Sequence, residues 1–258
     1  MKREHIVSVD PSLCIACGLC VSDCPTRTMQ MQGNTAVAVG SSCIHCGHCQ
    51  AICPQGAVSL SGFDEAPEAI TPDMRVDPTA LLGQLKARRS VRQFSAREIA
   101  PELIRQIIEA GRYTPSGTNK QGVSYTVLQK NIAEYESYGI KLFRGLKRAV
   151  DLVYTGLHAI EIDDHFLFKN ANAVIVIKGA DAVDAALAAS SMELMAQSLG
   201  LGVFYSGFFS MITRFSGKLR RKLGIRAGEK AVTTLVLGYP AVRYQRTAQR
   251  ETADVLFD

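Results

Sequence analysis

Eight cysteines constrain this chain more than any other feature: all lie between residues 14 and 53, and none follows in the rest of its 258 positions. They form two runs, Cys14-Ile-Ala-Cys17-Gly-Leu-Cys20-Val-Ser-Asp-Cys24-Pro25 and Cys43-Ile-His-Cys46-Gly-His-Cys49-Gln-Ala-Ile-Cys53-Pro54. Both read C-x2-C-x2-C-x3-C-P. In a secreted mini-protein such density would mean disulfides. Here the first ten residues are charged and then alternating, without the apolar core of an export signal. Structural zinc uses two cysteine pairs, a pattern that doubled quartets ending in Cys-Pro do not follow. Three closely spaced thiolates instead wrap one corner of an iron–sulfur cube, and the fourth, carried onto the following turn, ligates the other cube. The expected ligand sets are therefore Cys14, Cys17, Cys20 and Cys53 for one 4Fe-4S cluster, and Cys43, Cys46, Cys49 and Cys24 for the second.

Each run continues into a short alternating segment, with apolar positions at Met29 and Met31 and at Val58 and Leu60, which predicts a strand in each repeat. On these residues the segment 1–65 resembles a bacterial ferredoxin carrying two 4Fe-4S clusters. A domain this small buries little apolar surface, so the clusters are expected to act as its core. His45 and His48, between cysteines of the second run, read as exposed loop residues. The alternative is an imidazolium that raises that cluster's potential.

The net charge of +5 is unevenly divided. Residues 1–66 hold three basic and five acidic groups, so the larger remainder is strongly basic. That contrast suggests two domains whose fields attract. Phosphate-bearing cofactors and anionic substrates account for the basic part as well as nucleic acid would, and no nucleic-acid partner is expected. No apolar run approaches the ~18 residues of a membrane helix. A soluble, cytoplasmic protein with no membrane association is the expectation.

Residues 66–78 contain three prolines and no periodic apolar pattern, which reads as an extended linker. Asp77-Pro78 then looks like an N-cap with proline at the first helical position, starting a helix through Leu81, Leu82 and Leu85. A second helix starts near Pro101, with Leu103, Ile104, Ile107 and Ile108 on one face. Strands are expected over Val123–Leu128, Ala173–Ile177 and Val232–Leu237. A helix from about Asp181 to Leu199 is apolar enough to predict burial nearly all round. Helices and strands mix without regular βα alternation, so 79–258 reads as one α+β domain. It has no GxGxxG after a strand, no P-loop, no nucleophile elbow and no HExxH, so its chemistry is expected to rest on something bound.

Arg88-Arg89-Ser90-Val91-Arg92-Gln93-Phe94 concentrates guanidinium forks and a hydroxyl that suit phosphate oxygens, although a solvated basic helix end has the same composition. Pro115-Ser116-Gly117-Thr118-Asn119-Lys120-Gln121 is a polar turn. Gly200-Leu201-Gly202 and Gly238-Tyr239-Pro240 follow in order. Together these four segments resemble the FMN-dependent nitroreductase family over residues 80–258. Pro115-Ser116-Gly117 is also similar to the deiodinase and flavin-destructase branches of that superfamily.

The resemblance implies a mixed sheet flanked by helices and an FMN at a homodimer interface. It also implies that Arg88, Arg89, Ser90 and Arg92 hold the phosphate and ribityl chain. Pro115, Ser116, Gly117 and Asn119 would reach the flavin of the partner subunit. Tyr205, Ser206 and Gly207 would lie along the isoalloxazine, with backbone N–H groups toward N5, and Arg246 and Arg250 would add phosphate contacts. No side chain stands out as a general acid; Tyr205 is the one candidate.

The basic run Lys218, Arg220, Arg221 and Lys222 reads as a solvated helix face, with docking of an acidic partner as the alternative. Clusters pass single electrons and flavin delivers pairs, so the expected function is a one-to-two electron adaptor. A low-potential donor such as ferredoxin would feed a small electrophilic acceptor, a nitroaromatic or a quinone. An NAD(P)H-dependent nitroreductase with clusters as outward carriers or sensors, and a non-enzymatic electron carrier, are the competing readings.

Overall fold

The computed structural model describes residues 4–151 and 161–258, with side chains of 4–147 and 161–258. The chain divides into two compact units, residues 1–75 with Ser116–Lys120, and Val76–Pro115 with Gln121–Asp258.

In the first unit, β1 (Val7–Val9) pairs antiparallel with β4 (Val58–Leu60), and β2 (Met29–Gln32) pairs antiparallel with β3 (Thr35–Ala38). Two one-turn helices, α1 (Leu19–Ser22) and α2 (His48–Ala51), each begin within a cysteine run. The glycine before each helix, Gly18 (φ 73°) and Gly47 (φ 76°), has left-handed backbone, where a Cβ would be strained. Cys20, Met29, Ala36, Cys49 and Val58 are the buried core, so cysteines supply part of what apolar side chains supply elsewhere.

The second unit contains α3 (Pro78–Ala87), α4 (Pro101–Arg112), β5 (Ser124–Leu128), α5 (Ile132–Asp151), β6 (Ala173–Gly179) and α6 (Ala182–Ser198). It continues with β7 (Gly202–Tyr205), α7 (Gly207–Ile212), α8 (Gly217–Lys222) and β8 (Lys230–Gly238). The strands form one sheet in the order β5-β6-β8-β7, antiparallel at each pairing. The parallel element is a bridge from Ser90 to Val203 beside edge strand β7.

Successive side chains of a strand point to opposite faces. Thus Ala173, Ile175 and Ile177 of β6 pack with α4 and α6, whereas Val174 and Val176 pack with α5, α7 and α8. A strand covered on both faces is apolar along most of its length, and every residue of β6 is buried, including Lys178, whose Nζ donates to the Leu223 carbonyl at 3.1 Å and the Gly224 carbonyl at 3.3 Å.

The expected N-cap is present: the Asp77 carboxylate accepts from the Ala80 amide at 2.7 Å, with Pro78 first in the helix. Helix α6 differs from the expectation of all-round burial. Asp184, Ala185, Ala188, Ala189, Met192, Glu193 and Ala196 are buried, while Val183 and Leu187 are exposed. Its alanine-rich sequence is apolar on every side, so composition could not show which side the sheet covers. Leu81, Leu82 and Leu85 of α3 are also exposed. In α8, Leu219 is buried and Lys218, Arg221 and Lys222 face outward as a solvated basic face requires, but Arg220 is half-buried, its Nη2 donating to the Arg226 and Glu229 carbonyls.

Candidate functional site

The eight thiols line two separate cavities. Cys14, Cys17, Cys20 and Cys53 line one, of about 330 Å³ of empty space, with Ala57 and Val58. Cys43, Cys46, Cys49 and Cys24 line the other, of about 380 Å³, with Thr26 and Thr28. The sets cross between the runs, as a fourth cysteine turned away from its own run demands. The loops between the first two cysteines of each run bend alike: Ala16 (φ 55°) and His45 (φ 53°), equivalent positions, both adopt left-handed backbone that side chains seldom tolerate.

Among the described residues no three His, Cys, Asp or Glu gather tightly enough for a single metal ion. Four thiols spread around a void instead fit a polynuclear cluster, whose irons sit apart from one another. Burial would push the Cys24 thiol up, but the Thr28 hydroxyl, the Met29 amide and Thr26 outweigh it and bring it down to about 6. His48 is exposed and His45 is half-buried, with its amide donating to Cys43 Sγ at 3.4 Å.

In the second unit, three of the four motif segments meet at one sheet edge. The Val91 amide donates to the Val203 carbonyl at 3.0 Å, the Ser95 amide to Tyr239 at 2.8 Å, and the Ala241 amide to Gln93 at 2.9 Å. The motif glycines are there because this segment lies so close. A Cβ on Gly202 would come within 2.7 Å of Val91, and one on Gly238 within 2.6 Å of Phe94.

Arg88 follows α3 as its C-cap residue, and its Nη1 lies 3.3 Å from Glu193 Oε1. The Tyr205 hydroxyl donates to Glu193 Oε2 at 2.9 Å. Burial first, then the Glu193 carboxylate, pushes the Tyr205 phenol well above the ordinary tyrosine range, so it stays protonated. Glu193, a charge inside an apolar helix, was not identified from sequence; its only signal was the break it makes between Met192 and Leu194.

Arg89 turns Nη1 to the Lys86 and Arg88 carbonyls, while its Nη2 is buried with no hydrogen-bond partner among the described residues. A buried donor left open at an arginine-rich strand edge fits an anionic group such as a phosphate. Ser90 is half-buried and Arg92 is exposed. The Ser206 amide is committed to the Thr234 carbonyl at 2.8 Å, which leaves Gly207, first residue of α7, as the remaining amide donor of that pair.

Ser116–Lys120 groups with the first unit, and Asn119 Nδ2 donates to the Ile44 carbonyl at 3.1 Å and the His45 carbonyl at 2.9 Å. Thr118 (φ 50°) and Asn119 (φ 53°) hold it in left-handed backbone. Pro115 is exposed, and Arg246 and Arg250 lie exposed in the irregular C-terminal segment.

Thiols gathered in two fours, on one chain with an antiparallel sheet beside whose edge a buried guanidinium nitrogen is left open, fit a cluster-bearing oxidoreductase. Residues 85–239 match the model of the nitroreductase family, and residues 6–54 match that of the 4Fe-4S dicluster domain. The chain belongs to the nitroreductase family, and it carries a 4Fe-4S domain ahead of the family's own.

A Methanothermobacter thermautotrophicus protein named for NADH dehydrogenase and NAD(P)H nitroreductase activity is 29% identical over 174 residues, 66% of this chain and 82% of that protein. An FMN-dependent nitroreductase from Clostridium difficile R20291 shares the fold with a TM-score of 0.57 at 20% identity, covering 70% of this chain and all of that one. A nitroreductase with bound FMN from Desulfitobacterium hafniense DCB-2 also gives 0.57 at 20% identity, covering 69% of this chain and 97% of that one. Among the described residues no helix is long and apolar enough to cross a membrane.

Proposed function

We propose that this chain is an FMN-dependent oxidoreductase that takes electrons one at a time through two 4Fe-4S clusters and reduces a small electrophilic acceptor, nitroaromatic- or quinone-like, by two. The observation that carries the reading is the crosswise sorting of eight thiols into two cavities on the same chain as a nitroreductase fold. FMN, when bound, accepts single electrons and delivers a hydride.

The residues have defined tasks. Arg89, with Ser90, Arg88 and Arg92, binds the phosphate and ribityl chain, and Glu193 holds Arg88 in place. Tyr205 and Gly207 face the ring, with the Ser206 backbone fixing the turn between them. In this reading residues 1–65 are the electron-receiving domain, 66–78 the linker and 79–258 the flavin domain. The electron donor is a low-potential one-electron protein such as ferredoxin, in the cytoplasm.

The working form is a homodimer with FMN at its interface. Supporting it, α3 exposes Leu81, Leu82 and Leu85, α6 exposes Val183 and Leu187, and the C-terminal segment leaves Leu256 92% and Phe257 90% exposed. In such a dimer Pro115, Ser116, Gly117 and Asn119 reach the partner's flavin, and Arg246 and Arg250 add phosphate contacts. A second reading, NAD(P)H as the reductant, is favoured by the name of the Methanothermobacter relative.

The test of content is an iron and sulfide assay with mass spectrometry of the released flavin. About eight irons, about eight sulfides and one FMN per chain are expected from two cubes of four. Four irons would remove one cluster, and released FAD would overturn the role given to the arginines.

A further inference from the structure

The two cysteine runs are near-copies, and they differ where their fourth cysteines are held. Cys24 is followed by Pro25-Thr26-Arg27-Thr28, and Cys53 by Pro54-Gln55-Gly56-Ala57. Position for position, a threonine at 28 stands where the other repeat has an alanine at 57. Both are buried, Thr28 5% exposed and Ala57 4%, and each lines its own thiol cavity. Thr28 Oγ1 lies 3.4 Å from Cys24 Sγ, Thr26 Oγ1 lies 3.7 Å from the same sulfur, and the two hydroxyls are 3.0 Å apart. Among the described residues, Cys24 alone of the eight cysteines has side-chain hydroxyls against its sulfur.

A ligating sulfur is a thiolate and only accepts, so a hydroxyl beside it must donate. Reduction adds one negative charge to a cluster and its thiolates. Hydrogen bonds to the sulfurs stabilise that extra charge and raise the potential. We propose that Thr28, with Thr26 behind it, sets the cluster of Cys24, Cys43, Cys46 and Cys49 at the higher potential of the pair, making it the electron-holding site. This rests on the two-cluster reading above. The step it orders is a plain electron exchange. The cluster of Cys14, Cys17, Cys20 and Cys53 is oxidised by one electron and the other is reduced by one. No bond or proton moves, and the reductant is the low-potential one-electron donor already proposed.

The test is an anaerobic potentiometric titration of the full chain, with iron counted in every sample and the two one-electron waves followed by electron paramagnetic resonance. Thr28→Ala, which installs the other repeat's residue, should move the higher wave negative and leave the lower wave in place. A shift worth about tenfold in how an electron divides between the sites is expected, about 59 mV for a one-electron couple. Thr28→Ser, which keeps the hydroxyl, should restore the wave. Ala57→Thr should move the lower wave positive, an independent gain-of-hydroxyl check should Thr28→Ala fail to assemble. Full iron with both waves unmoved, or both moving together, overturns the proposal. A wild-type chain with about four irons and one wave overturns the two-cluster reading itself, and this proposal with it.

Discussion

Arg89 and Tyr205 show what single residues decide here. The Arg89 Nη2 is buried and unsatisfied, a state that costs about 1–3 kcal/mol unless a ligand relieves it. If a phosphate is that ligand, Arg89→Ala loses a charge-assisted hydrogen bond worth about 1.5–3 kcal/mol, roughly ten- to hundredfold in affinity. Flavin retention after gel filtration should fall by that factor while the brown cluster absorbance stays; unchanged retention would assign Arg89 to the protein's own backbone.

Tyr205 makes a pH prediction. Its phenol titrates above the ordinary value of 10 because of burial and Glu193. A raised folded value means the stabilisation is complete below pH 10 and is lost as pH rises above it, because the unfolded chain gives up its proton first. Thermal melts between pH 9 and 11 should show stability falling, and Tyr205→Phe should flatten that fall; an equally steep fall in the variant would place the effect elsewhere. Glu193, which adds to the effect of burial, lay outside what periodicity can reveal, because its meaning depends on Arg88 and Tyr205 arriving from distant parts of the chain.

At the scale of elements, the strand-edge arrangement depends on two glycines. Gly202 begins β7 and Gly238 ends β8, and the segment running Val91 to Phe94 occupies the space their side chains would take. Gly202→Ala pushes a methyl into Val91, an overpacking that costs about 1–3 kcal/mol. A lowered melting temperature together with weaker flavin retention is expected, since Val91 adjoins Ser90 and Arg89. A variant with wild-type values for both would show that the close approach is relaxed in solution.

These glycines were legible as motifs and as the ends of a turn and a strand. Their contact with the arginine segment was not, because it joins residues more than a hundred positions apart. The same limit explains α6, whose apolar run predicted a helix from about Asp181 to Leu199, close to the observed Ala182–Ser198, but could not tell its sheet-facing side from the side bearing Val183 and Leu187. The cysteines were the opposite case: local spacing alone led to the expectation that Cys24 and Cys53 sit apart from their own runs, and each lines the cavity of the other run.

At the scale of the whole molecule, the proposed function gives electrons one path: single electrons would enter at the cysteine-rich unit and leave as pairs from the flavin domain. The competing path, reduction of the flavin by NAD(P)H, uses the same parts in another order. Rapid anaerobic mixing of the full chain with a reduced ferredoxin separates them, with cluster and flavin absorbance followed at once. The cluster bands should bleach first and the flavin band should follow at the rate of their reoxidation. NADH or NADPH alone should bleach neither on the timescale of turnover. Flavin bleaching by NAD(P)H within a turnover, with the clusters reduced only afterwards, would contradict the account and make the clusters outward carriers.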